Sequence, residues 1–116
     1  MALSDRRLKR WYNAINKKWF DGQLPANTEV WYEHVQDACA MVEYDGCDVT
    51  FDESTDTWLI RINPALAWSP RLARFALIHE MVHIAVGIGG KRKAHGAKFQ
   101  YRMMLLAASG AFKDLW

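Results

Sequence analysis

His79-Glu80-Met81-Val82-His83 forms an H-E-x-x-H pattern, and its residue types are those of a metal-dependent hydrolytic centre. Two histidines four apart on a helix project from one face and can reach a single metal ion, and the glutamate between them suits the role of general base. A chain of this composition would carry the pattern by chance roughly once in a couple of hundred cases. The competing reading is a pair of satisfied core histidines on an apolar helix. Glu80 argues against it, because burying a carboxylate beside two imidazoles is costly unless a cation compensates.

Zinc in a hydrolytic site takes three protein ligands and keeps a fourth position open for water, so a third ligand is required. Downstream of His83 the chain offers His95 and Asp114, with no glutamate and no cysteine. Asp114 lies almost at the end of the sequence, whereas His95 opens a predicted helix that Phe99 can anchor four residues on, which favours His95. The elongated H-E-x-x-H-x-x-G-x-x-H layout would need glycine at Val86 and histidine at Gly89 and is excluded. A layout with a glutamate on a following helix fails for want of that glutamate.

These residues need a helix under them, and the flanking sequence provides one. Ser69-Pro70 is a cap and first-turn pair that opens a helix from about Pro70 to Val86, closed by Gly87, Gly89 and Gly90. After the basic loop Lys91-Arg92-Lys93, a last helix is expected from about His95 to Ala108, with Phe99, Met103 and Leu106 on one stripe. Near the N-terminus, Ser4 can cap a helix whose apolar positions Leu8, Trp11, Tyr12, Ile15 and Trp19 share a buried face. Asp5 lies in its first turn and Lys17-Lys18 in its last, and Asp21-Gly22 with Pro25 ends it. Between the helices, strands are expected at Thr28 to Val35, Ala38 to Tyr44, Cys47 to Phe51 and Thr57 to Ile62. Asp45-Gly46 and Asp52 to Asp56 are turn signals, and Asn63-Pro64 stops the last strand. The fold class is therefore α+β: an N-terminal helix, a small, largely antiparallel sheet, the H-E-x-x-H helix and a C-terminal helix.

The 116 residues are 51% apolar and 24% charged, usage that suits a single globular domain over residues 1–116 and excludes a disordered or fibrous chain. Charge follows Met1-Ala2-Leu3 at once, and no stretch approaches the ~18 apolar residues of a membrane span. A cytoplasmic, membrane-free monomer is expected. Cys39 and Cys47 match neither a disulfide framework nor a ribbon and read as reduced. The net charge of +2 conceals a separation: Trp19 to Ile60 holds ten acids and no lysine or arginine, while six bases precede it and nine follow. Such asymmetry points weakly to an electrostatic partner.

The chain resembles the SprT-like metalloprotease family, which includes the Spartan proteases of DNA–protein crosslinks. The resemblance rests on His79-Glu80-x-x-His83, on His95-Gly96-x-x-Phe99-x-x-x-Met103, and on Asn16-x-x-Trp19-Phe20-Asp21-Gly22-x-Leu24-Pro25. H-E-x-x-H alone is shared by many families, and its combination with H-G-x-x-F-x-x-x-M is far more specific. The resemblance implies one Zn2+ at His79, His83 and His95, catalysis by Glu80, and hydrolysis of peptide bonds in a protein substrate. Many members continue into a zinc ribbon or into DNA- and partner-binding segments, and this sequence stops at Trp116. DNA-bound proteins are a further expected substrate, with Lys91, Arg92, Lys93, Lys98 and Arg102 as the candidate nucleic-acid contacts. Tyr44, Tyr101 and Arg102 are open candidates for an oxyanion donor. The alternative is a non-catalytic zinc-containing module that binds DNA or protein. Glu80 weighs against it, since purely structural zinc sites are closed by four ligands and need no internal base.

Overall fold

The computed structural model describes residues 3–4, 6–33, 47–86 and 97–113. The elements run β1 (Leu3–Ser4), α1 (Arg6–Trp19), β2 (Glu29–Tyr32), β3 (Asp48–Asp52), β4 (Thr57–Ile62), a 3-10 turn (Pro64–Trp68), α2 (Pro70–Val86) and α3 (Ala97–Ala108). The expected α+β class holds. β4 and α2 have the bounds expected from their sequence. The expected strand Ala38 to Tyr44 and the Asp45-Gly46 turn lie outside the described residues.

The four strands form one sheet in the order β1-β2-β4-β3. It is mixed rather than largely antiparallel. β1 and β3 pair antiparallel with β2 and β4 respectively, but β2 and β4 lie parallel at the centre. Alternation along a strand tells which residues share a face but does not tell which strand lies alongside. The neighbour is chosen by burial. The parallel register sets Val30 opposite Ile60 and Tyr32 opposite Ile62, and these four buried side chains then occupy one face. Across β3–β4, Asp48 faces Arg61 and pairs with it through both carboxylate oxygens, with Glu33 3.3 Å from the same guanidinium. Pairing with Asp48 above all raises the pKa of Arg61, so this cross-strand clamp stays charged.

α1 is held to the sheet by a polar stripe as much as by its apolar one. Lys9, Tyr12 and Asn16 follow a three-and-four spacing, and all three grip the segment from Leu24 to Thr28. The Lys9 ammonium donates to the carbonyls of Ala26 and Thr28. Burial pushes its pKa down, against the pull of Glu29. The Tyr12 hydroxyl donates to the Pro25 carbonyl at 2.7 Å and reaches Thr28 Oγ1 at 3.0 Å. Asn16 donates to the Leu24 carbonyl and accepts from the Leu24 amide, each at 3.0 Å. The reversal that permits this runs through Asp21 and Gly22, both at positive φ, which Asp tolerates and Gly adopts freely. Two expectations for α1 need correction. Ser4 does not sit at the cap position but pairs with Trp31 as part of β1. Trp11 and Trp19 pack against the core but are only half-buried, and cations lie over their rings: the Arg74 guanidinium is 5.6 Å from the Trp11 ring and the Lys18 ammonium 5.0 Å from the Trp19 ring.

α2 is the central element and packs against α1, α3, β3, β4 and the 3-10 turn. Ser69 caps it, its hydroxyl accepting from the Leu72 amide at 3.4 Å and its carbonyl from the Ala73 amide at 2.9 Å. From Ala76 to Ile84 every residue is buried, the signature of a helix enclosed on all sides. Among the described residues no helix is long and apolar enough to cross a membrane.

The Asn16 clamp is open to a direct test. Asn16→Ala leaves the buried amide and carbonyl of Leu24 without these partners, at about 1–3 kcal/mol for each such group. Urea denaturation of the purified chain should show a stability loss of roughly 2–4 kcal/mol, with an unchanged m-value.

Candidate metal centre

His79, Glu80 and His83 come from consecutive turns of α2, and the wrapping of that helix removes them from solvent. Glu80 is 0% exposed, His83 2% and His79 9%. One ligand atom from each lies within 4.8 Å of the other two. His79 Nδ1 is 2.8 Å from Glu80 Oε2. An imidazole held at Nδ1 by a carboxylate presents Nε2 outward, the arrangement usual for metal-bound histidines.

The donor set fits a divalent cation. Two buried, converging imidazoles are borderline ligands of the kind zinc and neighbouring transition metals take, and the carboxylate beside them can act on a neighbouring water. A buried carboxylate is also the group whose desolvation a nearby cation offsets best.

α3 closes the site from one side through Phe99. Its ring centroid is 5.1 Å from that of His79, edge-on, and 4.5 Å from that of His83, tilted by 33°. The two imidazoles are themselves edge-on at 5.2 Å. Phe99 is therefore a wall that fixes both rings and keeps water from their apolar side. The sequence suggested it only as an anchor for α3. Its place four residues after His95, in the same motif, was the available signal for the larger role. In the turn after α3, Phe112 meets Phe75 at 5.2 Å, so the chain beyond α3 returns to the first half of α2.

The remaining candidates divide by position. His95, Lys91, Arg92 and Lys93 lie outside the described residues, as do Tyr44 and Asp114. Lys98 is exposed at the start of α3. Arg102 sets its guanidinium over the Phe20 ring at 5.0 Å, and Tyr101 is 60% exposed, on the side of α3 away from Phe99.

A mixed sheet under a central helix that buries a His-Glu-x-x-His group defines a metallopeptidase-like domain. A model of the SprT-like family matches residues 8–113, and the chain belongs to that family. Neither a curated protein nor a solved structure matches it significantly.

Ion binding at this group should be visible in stability alone. A ligand that binds only the folded state adds about 4 kcal/mol at a thousandfold excess over its dissociation constant. Metal-loaded protein should therefore melt well above chelator-treated protein in calorimetry. Equal melting temperatures would separate the buried group from metal binding.

Proposed function

We propose that this chain is a zinc-dependent metalloendopeptidase in which His79, His83 and His95 hold the ion and Glu80 is the general base, all within one catalytic domain. The observation that carries the reading is the buried, convergent group His79-Glu80-His83. Membership of the SprT-like family supports it. His95 enters through the sequence motif, as the histidine four residues before the Phe99 that touches both other imidazoles.

When bound, the zinc ion supplies a Lewis acid that acidifies water to a pKa of ~7 and polarises a carbonyl. The chain's own residues do the rest. Glu80 takes a proton from the attacking water and delivers it to the departing amine as the peptide bond breaks. His79 and His83 hold their orientation through the helix backbone and the Phe99 ring. Enclosure by α1, α3 and the sheet shields Glu80 from bulk solvent.

The experiment combines metal content with proteolysis. Glu80→Gln keeps size and folding, so it should retain stoichiometric zinc and lose about 100- to 10,000-fold in peptide hydrolysis. His79→Ala, His83→Ala and His95→Ala should each lose the zinc, and Asp114→Ala should keep it. Full activity in Glu80→Gln would favour the non-catalytic module.

Proteins bound to DNA are the proposed natural substrates. Arg6, Lys9 and Arg10 line one open hollow on the exposed side of α1, and Lys98 stands exposed near the metal-binding group. Together with the Lys91-Arg92-Lys93 sequence they supply charge suited to phosphates. Replacing those three loop bases by alanine should weaken DNA binding and flatten its salt dependence, since each lost phosphate contact lowers the slope of log affinity against log salt by ~0.7–0.9. Gel-shift titrations across a salt series on single-stranded and duplex DNA measure both, and an unchanged slope removes that loop from the account.

A further inference from the structure

A second recessed site lies where α1, α2 and the turn after α3 meet. It is a cleft of about 180 Å³ lined by Ile15, Lys18, Trp19, Arg74, Ile78, Gly110 and Ala111. No acid is among those residues. Two cations thus share one small cleft, and each is backed by an aromatic ring, Lys18 by Trp19 and Arg74 by Trp11. Arg74 Nε is buried and has no hydrogen-bond partner among the described residues. Among the described residues no counter-charge faces these two cations across the partly apolar cleft, and a bound anion offsets their repulsion. The remaining walls, Ile15, Ile78 and the Trp19 ring, are apolar. Gly110, at φ +93 with nothing within 4 Å of the position a Cβ would take, leaves the mouth open.

We propose that this cleft binds a carboxylate carried on a small apolar group, of the kind presented by the C-terminal residue of a peptide. The Arg74 guanidinium offers a planar fork to a carboxylate, and Lys18 adds a point charge from the opposite helix. The isoleucines and the indole take the attached side chain. The volume is below the ~300 Å³ of a typical small-molecule pocket, which limits the occupant to about one residue. The cleft lies on the α1 side of α2, whereas His79 and His83 face Phe99 of α3. The proposal does not depend on the protease reading.

The test is a titration of isotope-labelled, metal-loaded full chain, followed by NMR at the Gly110 amide and the Trp19 indole N–H. The probes are N-acetyl-leucine, its amide N-acetyl-leucinamide, and inorganic phosphate. Saturable shifts at both reporters are expected with N-acetyl-leucine, and at least about tenfold weaker binding with the amide, the loss that follows a missing charge-assisted hydrogen bond. Lys18→Gln, a change at an exposed position that leaves the fold intact, should weaken the acid by a similar factor, and Arg74→Gln should do so more strongly. Equal affinity for acid and amide, or no saturable shift at either reporter, overturns the proposal. Phosphate binding as tight as the acid overturns the apolar half of it. Shifts confined to Phe99 and the histidines would place the carboxylate at the metal centre and overturn it as well.

Discussion

The structure is arranged around a carboxylate shielded from bulk solvent. Glu80 sits in the middle of α2, wholly buried between two imidazoles, and an ionised carboxylate in such a place costs several kcal/mol unless its surroundings compensate. Keeping it there requires that the helix be enclosed on every side, which a stripe of apolar residues on one face cannot achieve. The run from Ala76 to Ile84 is accordingly buried without interruption. The sheet covers one flank through β3 and β4, and α1 and α3 cover the others. The other elements are short, and their arrangement follows from the need to surround this one helix.

That need explains why the sequence blocks shared with the family are far apart in the chain. The block from Asn16 to Pro25 is a clamp. Asn16 ties the loop to the end of α1 through both Leu24 backbone groups, the reversal at Asp21 and Gly22 makes the approach possible, and Phe20 enters the core. It fixes one cover of α2 without touching the histidines. The block containing Phe99 does touch them, closing the imidazoles from the α3 side. One block secures the frame, the second secures the rings through Phe99 and carries His95, and the third supplies the imidazoles of His79 and His83.

Much of this was legible in the sequence where local chemistry decides. Ser69-Pro70 marked the start of α2, the alternation of Trp58, Ile60 and Ile62 marked β4, and the histidine spacing placed the donors on one face. What escaped depends on partners distant in sequence. The parallel neighbourhood of β2 and β4 is set by burying Val30 and Tyr32 with Ile60 and Ile62, and no local pattern encodes that choice. Ser4 looked like a cap because a short polar residue before a helix usually is one, yet pairing with Trp31 recruited it into the sheet. Trp11 and Trp19 had the spacing of core residues, and cations from Arg74 and Lys18 lie over their half-buried rings. Asn16 entered only as the first residue of a family block, and its role depends on a distant loop: a buried amide can satisfy a buried loop backbone where an aliphatic side chain cannot.

The two ends of α2 also differ in electrostatic character, and the difference follows the helix dipole. Aligned peptide groups leave partial positive charge at the N-terminus and partial negative charge at the C-terminus. His83 falls in the last turn, so a cation held by His79 and His83 sits toward the end that favours it. The first turn has no acid; Arg71 lies within it and Arg74 just beyond, close to the end that disfavours positive charge. Each such placement costs a few tenths of a kcal/mol at an exposed position and more where water is excluded. An anion seated between Arg74 and Lys18 offsets both the mutual repulsion of the cations and the conflict of Arg74 with the dipole of α2. The same helix is thus polarised to receive opposite charges at its two ends, a cation among the histidines facing α3 and an anion in the cleft facing α1.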